Sequence, residues 1–238
     1  MPECNNKFGQ CVYCGTVGKI TKDHIPPKNL FSKPRPSNLI TVEACHQCHS
    51  NTSEDDEHFR LVLHAREDVA EHPAAKRLRP SVMRSLDRPE AIGMVHGFAQ
   101  SITPIELKTP SGIFIKHHFG FYANMDRMNR VASRIVKGLF YHEKKHRLPD
   151  NYEVRSQSED SVRQRPPSER EFLEQNFIKP VLPQKRVKIG DGVFAYRFNT
   201  FADEPNSTVW ILEFYERACF LALTSPPESK TDENSPAL

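Results

Sequence analysis

The chain has 238 residues, of which 37% are hydrophobic, and its 33 basic and 30 acidic side chains give a formal net charge of +3. This length accommodates one large domain or two small ones. No apolar run is long enough for a membrane span, and the first residues lack the apolar core of a secretion signal, which predicts a cytoplasmic protein without membrane contact. The small positive charge permits nucleic acid as a partner but does not by itself indicate it.

Residues 1–10 carry no hydrophobic pattern and are expected to be flexible. Beyond them, four of the six cysteines form two Cys-x-x-Cys pairs, Cys11/Cys14 and Cys45/Cys48. In a cytosolic chain this spacing is typical of a metal site rather than of disulfides. Four such thiolates hold a structural Zn²⁺ tetrahedrally, and the ion is expected to contribute folding energy to a segment that is poor in large apolar residues.

Polar residues that a filled zinc site does not need lie between the two cysteine pairs. Residues 19–24 and 38–42 predict two strands, and a helix is expected to begin near Cys45. Asp23 offers a hard oxygen ligand suited to Mg²⁺ or Mn²⁺, and His24 has the pKa range of a general base for water. Because neighbouring strand residues point to opposite sides, we expect the backbone to bulge or turn at these two residues.

Two more polar residues are expected to join this cluster. The Asn38 amide does not titrate, but it can hold the His24 loop by a hydrogen bond. His49 follows Cys48 directly, on the first turn of the predicted helix, and can reach the same cation as Asp23.

The ordered features Cys-x-x-Cys, Asp-His-x-x-Pro, Asn-Leu and Cys-x-x-Cys-His resemble those of the HNH endonucleases, which share the ββα-metal fold. The resemblance covers about residues 11–55. It implies that Asp23 and His49 bind a catalytic Mg²⁺ or Mn²⁺ and that His24 activates the attacking water. It also implies that Asn38 orients His24.

Metal-assisted hydrolysis of a nucleic-acid phosphodiester is the activity that this resemblance implies, with DNA favoured over RNA. Basic side chains in the same segment are candidates for phosphate contacts: Lys22, Lys28, Lys33 and Arg35. Asn51 is a second candidate for the ligand role of His49, because it lies near His49 in the sequence. A non-catalytic zinc-binding adaptor for nucleic acid or protein is the alternative function.

The chain after residue 72 predicts a larger α+β domain. A helix over residues 73–86 and a strand pair at 102–107 and 113–121 precede the strongest helical periodicity in the sequence, which Asn124 can cap. This periodicity predicts a long amphipathic helix with a buried apolar stripe. The basic side chains off that stripe are expected to face solvent: Arg127, Arg130, Arg134 and Lys137.

Residues 155–170 are polar and are predicted to form a linker or long loop. Antiparallel strands are predicted beyond this stretch, at residues 187–189, 193–198, 209–214 and 218–223. A His-Glu-x-x-His pattern at residues 142–146 also matches zinc peptidases, but both middle positions are lysine and no third ligand is evident.

The predicted fold class is α+β: a small zinc-stapled ββα module followed by a larger α+β domain with antiparallel strands. The predicted organisation is a flexible segment at 1–10, the nuclease module at 11–72, a domain of unknown role at 73–225 and a disordered tail at 226–238. The larger domain is a candidate surface for a protein partner or for self-association.

Overall fold

The structure, a computed structural model, describes residues 7–109 and 111–227. Within these residues the architecture is α+β, with three antiparallel sheets. The elements of the first half are β1 (Lys7–Gln10), β2 (Val17–Ile25), β3 (Ile40–Cys45), α1 (His46–Ser50), α2 (Ser53–Ala65), α3 (Glu67–Ala70), α4 (Pro73–Leu86), α5 (Ile92–Gln100), β4 (Ile102–Lys108) and β5 (Phe114–Phe121). The elements of the second half are α6 (Met125–Lys144), β6 (Glu153–Ser158), α7 (Glu159–Arg163), α8 (Pro167–Leu173), a π-helical turn (Glu174–Ile178), α9 (Lys179–Val181), β7 (Val187–Ile189), β8 (Phe194–Phe201), β9 (Glu204–Phe214) and β10 (Ala218–Ser225).

The first sheet has the strand order β1-β2-β3 and carries both cysteine pairs at its ends and turns. β2 and β3 pair without a register shift from Ile20↔Cys45 to Ile25↔Ile40. β1 adds to the free edge of β2, so backbone pairing rather than an apolar pattern orders these residues. The predicted flexibility is therefore wrong for residues 7–10, and the residues before them lie outside the described part of the chain.

Helix α6 contacts β2 and β3 of the first sheet and β6 and β10 of the larger sheet. The Asn124 side chain accepts a 3.2 Å hydrogen bond from the Arg127 backbone N–H, which confirms the predicted start of the helix. The apolar residues of α6, such as Ile135, are buried. The helix approaches β2 so closely that a Cβ on Gly138 would lie 2.6 Å from Ile25 Cδ1, and only glycine fits there without a shift.

Part of the basic side of α6 packs against α2 and does not face solvent. The Arg134 side chain is only 7% exposed, and its Nη2 donates to Asp56 Oδ1 at 2.5 Å. Arg130 donates to both carboxylate oxygens of Asp55, at 2.7 and 3.1 Å. The prediction of a solvent face is wrong for Arg134, because acidic residues at the start of α2 draw this part of the helix inward.

The larger sheet has the order β6-β10-β9-β8-β7 and is antiparallel throughout. Its last four strands along the chain confirm the predicted ones. The polar stretch 155–170 is not a linker, because it contributes most of β6, all of α7 and the start of α8. β6 pairs with β10 along its length and buries Gln157 and Ser158, so a polar edge strand replaces the predicted loop.

Strands β4 and β5 form a separate two-stranded sheet, as the sequence predicts. This hairpin exposes large apolar side chains, including Ile115 and Phe119. It therefore contributes little to the core. No helix in the described residues is both long and apolar enough to cross a membrane.

One hydrophobic core extends from the first sheet to the larger one. Val42 of β3, Phe59 of α2, Ile135 of α6 and Trp210 of β9 belong to the same buried cluster. The boundary predicted at residue 72 falls between α3 and α4. The N-terminal segment thus shares its interior with the rest of the chain.

Candidate metal centre and adjoining polar site

The sulfur atoms of Cys11, Cys14, Cys45 and Cys48 converge at one end of the first sheet, all within 4.8 Å of one another. The Sγ atoms of Cys14 and Cys45 are 3.8 Å apart. A tetrahedral Zn²⁺ holds its sulfur ligands at about 2.3 Å, which places neighbouring sulfurs about 3.8 Å from each other. The predicted set of four thiols is therefore confirmed as one cluster that could bind a metal ion such as zinc.

Tight backbone turns bring the two cysteine pairs together. In the first turn, the Gly15 N–H donates to the Cys11 carbonyl at 2.9 Å. Gly15 has a φ of 73°, a left-handed conformation that favours glycine, and the Arg147 guanidinium packs against it where a Cβ would lie. In the second turn, Cys45 caps α1 and its sulfur accepts a 3.4 Å hydrogen bond from the Cys48 backbone N–H.

The thiols of the cluster differ in acidity. Hydrogen bonds with the Thr16 side chain and backbone lower the pKa of Cys14 to about 6. Burial, with the neighbouring thiols, raises the pKa of Cys48. A zinc ion deprotonates the thiols that coordinate it. Metal binding would therefore release a proton from each coordinating thiol that is still protonated.

A second polar site lies on the same hairpin and helix. Asp23 Oδ1 on β2 and His49 Nε2 on α1 are 3.8 Å apart, and the Asp23 side chain is only 7% exposed. This separation is too long for a hydrogen bond. Oxygen and nitrogen ligands lie about 2.0–2.2 Å from a small divalent cation, so the two atoms could coordinate one ion between them.

The other nitrogen of His49 is held by a threonine that the sequence analysis does not single out. His49 Nδ1 lies 2.8 Å from Thr21 Oγ1, and the Thr21 hydroxyl donates to the Ala44 carbonyl at 3.3 Å. The pairing of β2 with β3 sets Thr21 directly opposite Ala44. This arrangement orients the imidazole ring toward Asp23.

The other oxygen of Asp23 is also occupied. The Tyr13 hydroxyl donates to Asp23 Oδ2 at 2.7 Å, and Arg134 Nε lies 3.9 Å from the same oxygen. Burial, followed by the Asp23 charge, raises the pKa of Tyr13 and keeps the phenol protonated. Arg134 Nε and Nη1 are buried without a hydrogen-bond partner in the described residues.

Asp56 on α2 forms an ion pair with Arg134 and so offsets its charge. Burial raises the pKa of Asp56 to about 6, although the Arg134 guanidinium opposes this shift. Burial alone would lower the pKa of Arg134, but Asp56 and then Asp23 raise it. The sequence gives no spacing signal for this set of four residues, because they lie far apart along the chain. They are Tyr13 in the turn after β1, Asp23 on β2, Asp56 on α2 and Arg134 on α6.

His24 lies half-buried on β2, opposite Thr41 of β3. Burial lowers its pKa, and the nearby Lys28 adds to the effect, so the imidazole is neutral and can accept a proton at neutral pH. The expected bulge at Asp23 and His24 is absent, because β2 keeps regular pairing as far as Ile25. Regular pairing points the two side chains to opposite faces of the strand.

Asn38 takes a different position from the one that its predicted role requires. Its Nδ2 donates to the Lys188 carbonyl at 3.0 Å, and its Oδ1 accepts from the Gly190 N–H at 3.4 Å. These two bonds tie the loop before β3 to β7 rather than to His24. Of the two candidates for the ligand on α1, His49 approaches Asp23, whereas Asn51 caps the end of α1 and is exposed.

The candidate phosphate-binding residues are all exposed to solvent: Lys22, Lys28, Lys33 and Arg35. Lys28 and Arg35 lie close enough to His24 for their charges to lower its pKa. A cleft of about 830 Å³ opens beside the thiol cluster, between α1 and α6, and Arg130, Arg134 and Lys137 line its α6 side. Basic side chains therefore lie both around His24 and along this cleft.

Comparisons of the chain with protein-family models, curated proteins and solved structures found no match.

Proposed function

We propose that this chain is an HNH-type endonuclease that hydrolyses phosphodiester bonds in nucleic acid, DNA in preference to RNA, with Mg²⁺ or Mn²⁺. The observation that carries the proposal is the 3.8 Å approach of Asp23 Oδ1 to His49 Nε2. These are the two residues to which the sequence resemblance gives the cation. The thiol cluster beside them supports the same assignment.

The proposed roles follow from charge and from the sequence resemblance, whereas the place of His24 on the face of β2 opposite Asp23 favours the second candidate below. His24 accepts the proton of the attacking water, which its lowered pKa allows. The exposed cations Lys28 and Arg35 hold the phosphate backbone near His24. A divalent cation, when bound, would polarise the phosphoryl oxygen and stabilise the leaving oxyanion. Asn38 supports the loop before β3 through its bonds to β7.

A zinc-dependent adaptor that binds nucleic acid or protein without cleaving it is the second candidate. The environment of Asp23 favours it, since Tyr13 and Arg134 already surround one carboxylate oxygen. The engagement of Asn38 by β7 favours it as well. In that case Asp23 is a buried structural carboxylate and His24 has no catalytic role. The two candidates differ in cation-dependent cleavage.

The test incubates zinc-loaded protein with supercoiled plasmid, without and with an excess of Mg²⁺ or Mn²⁺. We expect nicking by the wild type only when the cation is added. His24→Ala should lose about 10²- to 10⁴-fold in rate, because it lacks the general base. His96→Ala, which removes an exposed histidine on α5, is the matched control and should cut like the wild type.

Equal cutting by His24→Ala and wild type would exclude His24 as the base. Intact plasmid in every lane, with folded protein that retains its zinc, would favour the adaptor. Parallel reactions with single-stranded DNA and with RNA determine which nucleic acid is preferred. Circular dichroism and zinc analysis of each variant show whether a loss of cutting reflects a loss of fold.

A further inference from the structure

Asp23 and His49 share one arrangement. In each side chain a hydroxyl contacts one polar atom, and the other polar atom has no hydrogen bond within the described residues. Tyr13 donates to Asp23 Oδ2 at 2.7 Å, and Thr21 contacts His49 Nδ1 at 2.8 Å. The atoms that remain, Asp23 Oδ1 and His49 Nε2, face each other across 3.8 Å. Hydrogen bonds behind a ligand of this kind fix its orientation toward a metal ion.

The Thr21 hydroxyl determines which nitrogen of His49 carries the proton. The Ala44 carbonyl, 3.3 Å from the Thr21 hydroxyl, can only accept, and we assign the single hydroxyl hydrogen of Thr21 to it. With that assignment the Thr21 oxygen accepts from His49 at 2.8 Å, which places the imidazole hydrogen on Nδ1. His49 Nε2 is left with a lone pair directed toward Asp23, as a cation ligand requires.

Tyr13 has the corresponding effect on the carboxylate. Its hydroxyl donates to Oδ2, and the Arg134 guanidinium lies on the same side, 3.9 Å from that oxygen. Both donors therefore act on Oδ2, and Oδ1 is the oxygen free to coordinate. Neither Thr21 nor Tyr13 carries a charge at neutral pH, so replacing either one leaves the charge of the site unchanged.

We propose that Thr21 and Tyr13 are positioning residues for a divalent-cation site formed by His49 and Asp23, an inference that rests on the proposed function. Thr21 selects the tautomer of His49, and Tyr13 selects the free oxygen of Asp23. Positioning groups of this kind are worth about 10- to 100-fold in metal affinity.

The first measurement is the ¹⁵N NMR spectrum of the imidazole rings in zinc-loaded protein without Mn²⁺, under mildly alkaline conditions. The wild type should show His49 protonated at Nδ1. Thr21→Val removes the acceptor and should shift the hydrogen to Nε2, from which it can point at Asp23. Thr21→Ser keeps a hydroxyl and should keep the wild-type tautomer. Thr41→Val, an exposed threonine on the adjacent strand, is the matched control.

The second measurement is a Mn²⁺ titration of the same proteins, followed by electron paramagnetic resonance. Thr21→Val and Tyr13→Phe should each bind Mn²⁺ about 10- to 100-fold more weakly than the wild type. Thr21→Ser and Thr41→Val should bind it like the wild type. Zinc content and thermal unfolding show that each variant keeps its fold.

The outcomes separate this inference from the proposed function. A wild-type His49 protonated at Nε2, or equal Mn²⁺ affinity in wild type, Thr21→Val and Tyr13→Phe, would overturn the positioning roles even if the protein cuts DNA. A wild type that neither binds Mn²⁺ nor cuts DNA would overturn both. Weaker Mn²⁺ binding by Thr21→Val, restored in Thr21→Ser, would support the positioning role of Thr21.

Discussion

The two polar sites of the N-terminal segment differ in where their supporting residues come from. The thiol cluster draws all four sulfurs from the two turns around the first sheet. The Asp23–His49 pair draws its support from farther away, because Arg134 of α6 lies beside Asp23 and is itself anchored by Asp56 of α2. A site with a clear local motif can thus depend on a helix that the motif does not include.

The largest effect is expected at the thiol cluster. Cys45→Ala should abolish zinc binding and unfold the protein, because structural zinc contributes about 10–16 kcal/mol in small zinc-binding folds. Zinc analysis and circular dichroism measure both results. Cys219→Ala, which changes a cysteine outside the cluster, should retain zinc and fold. Normal folding of Cys45→Ala without zinc would show that the shared core suffices.

A smaller effect is expected where α6 supports the second site. Arg134→Met leaves Asp56, whose side chain is 18% exposed, without its ion-pair partner, and the loss of one partner of a largely buried pair costs about 3–5 kcal/mol. Arg130→Met removes the same charge from the same helix at a guanidinium that is 58% exposed, and an ion pair with such a solvent-screened partner is worth about 0–1 kcal/mol. Urea unfolding at neutral pH compares them. Equal losses would mean that the Arg134–Asp56 pair stabilises the fold no more than the Arg130–Asp55 pair does.

The smallest of the three effects is expected at the contact between α6 and β2. Gly138→Ala places a methyl group against Ile25, and overpacking of this kind costs about 1–3 kcal/mol. At Gly97 on α5 nothing lies within 4 Å, so Gly97→Ala should instead gain about 0.5–1 kcal/mol from helix propensity. Thermal unfolding of both variants tests the contrast. A stabilised Gly138→Ala would show that α6 can move away from β2.

Sequence reasoning succeeded where the signal lies within a few residues. The two Cys-x-x-Cys turns predicted the thiol cluster, and Asn124 followed by helical periodicity predicted the start of α6. Strands with alternating or β-branched residues were also predicted close to their observed positions. In each case the pattern that marks the structure lies within a few residues of the chain, even where the partner comes from farther away.

Sequence reasoning failed where an element far away in the chain determines the surroundings of a residue. Burial of Arg134 depends on α2 lying opposite α6, and the Asn38 bonds depend on β7. Residues 155–158 form a strand because β10 offers them an edge, although their composition is that of a loop. Tyr13 and Thr21 were missed because an isolated hydroxyl carries no spacing signal.

The shared interior limits how the N-terminal segment can be reused. Val42 and Ile25 are buried against the rest of the molecule, with Ile25 in close contact with α6 at Gly138. If this segment were grafted onto another scaffold, that scaffold would need a helix in place of α6. The helix would have to carry a basic side chain next to Asp23 and a small residue opposite Ile25. The four cysteines alone are therefore not expected to fold this segment outside its own chain.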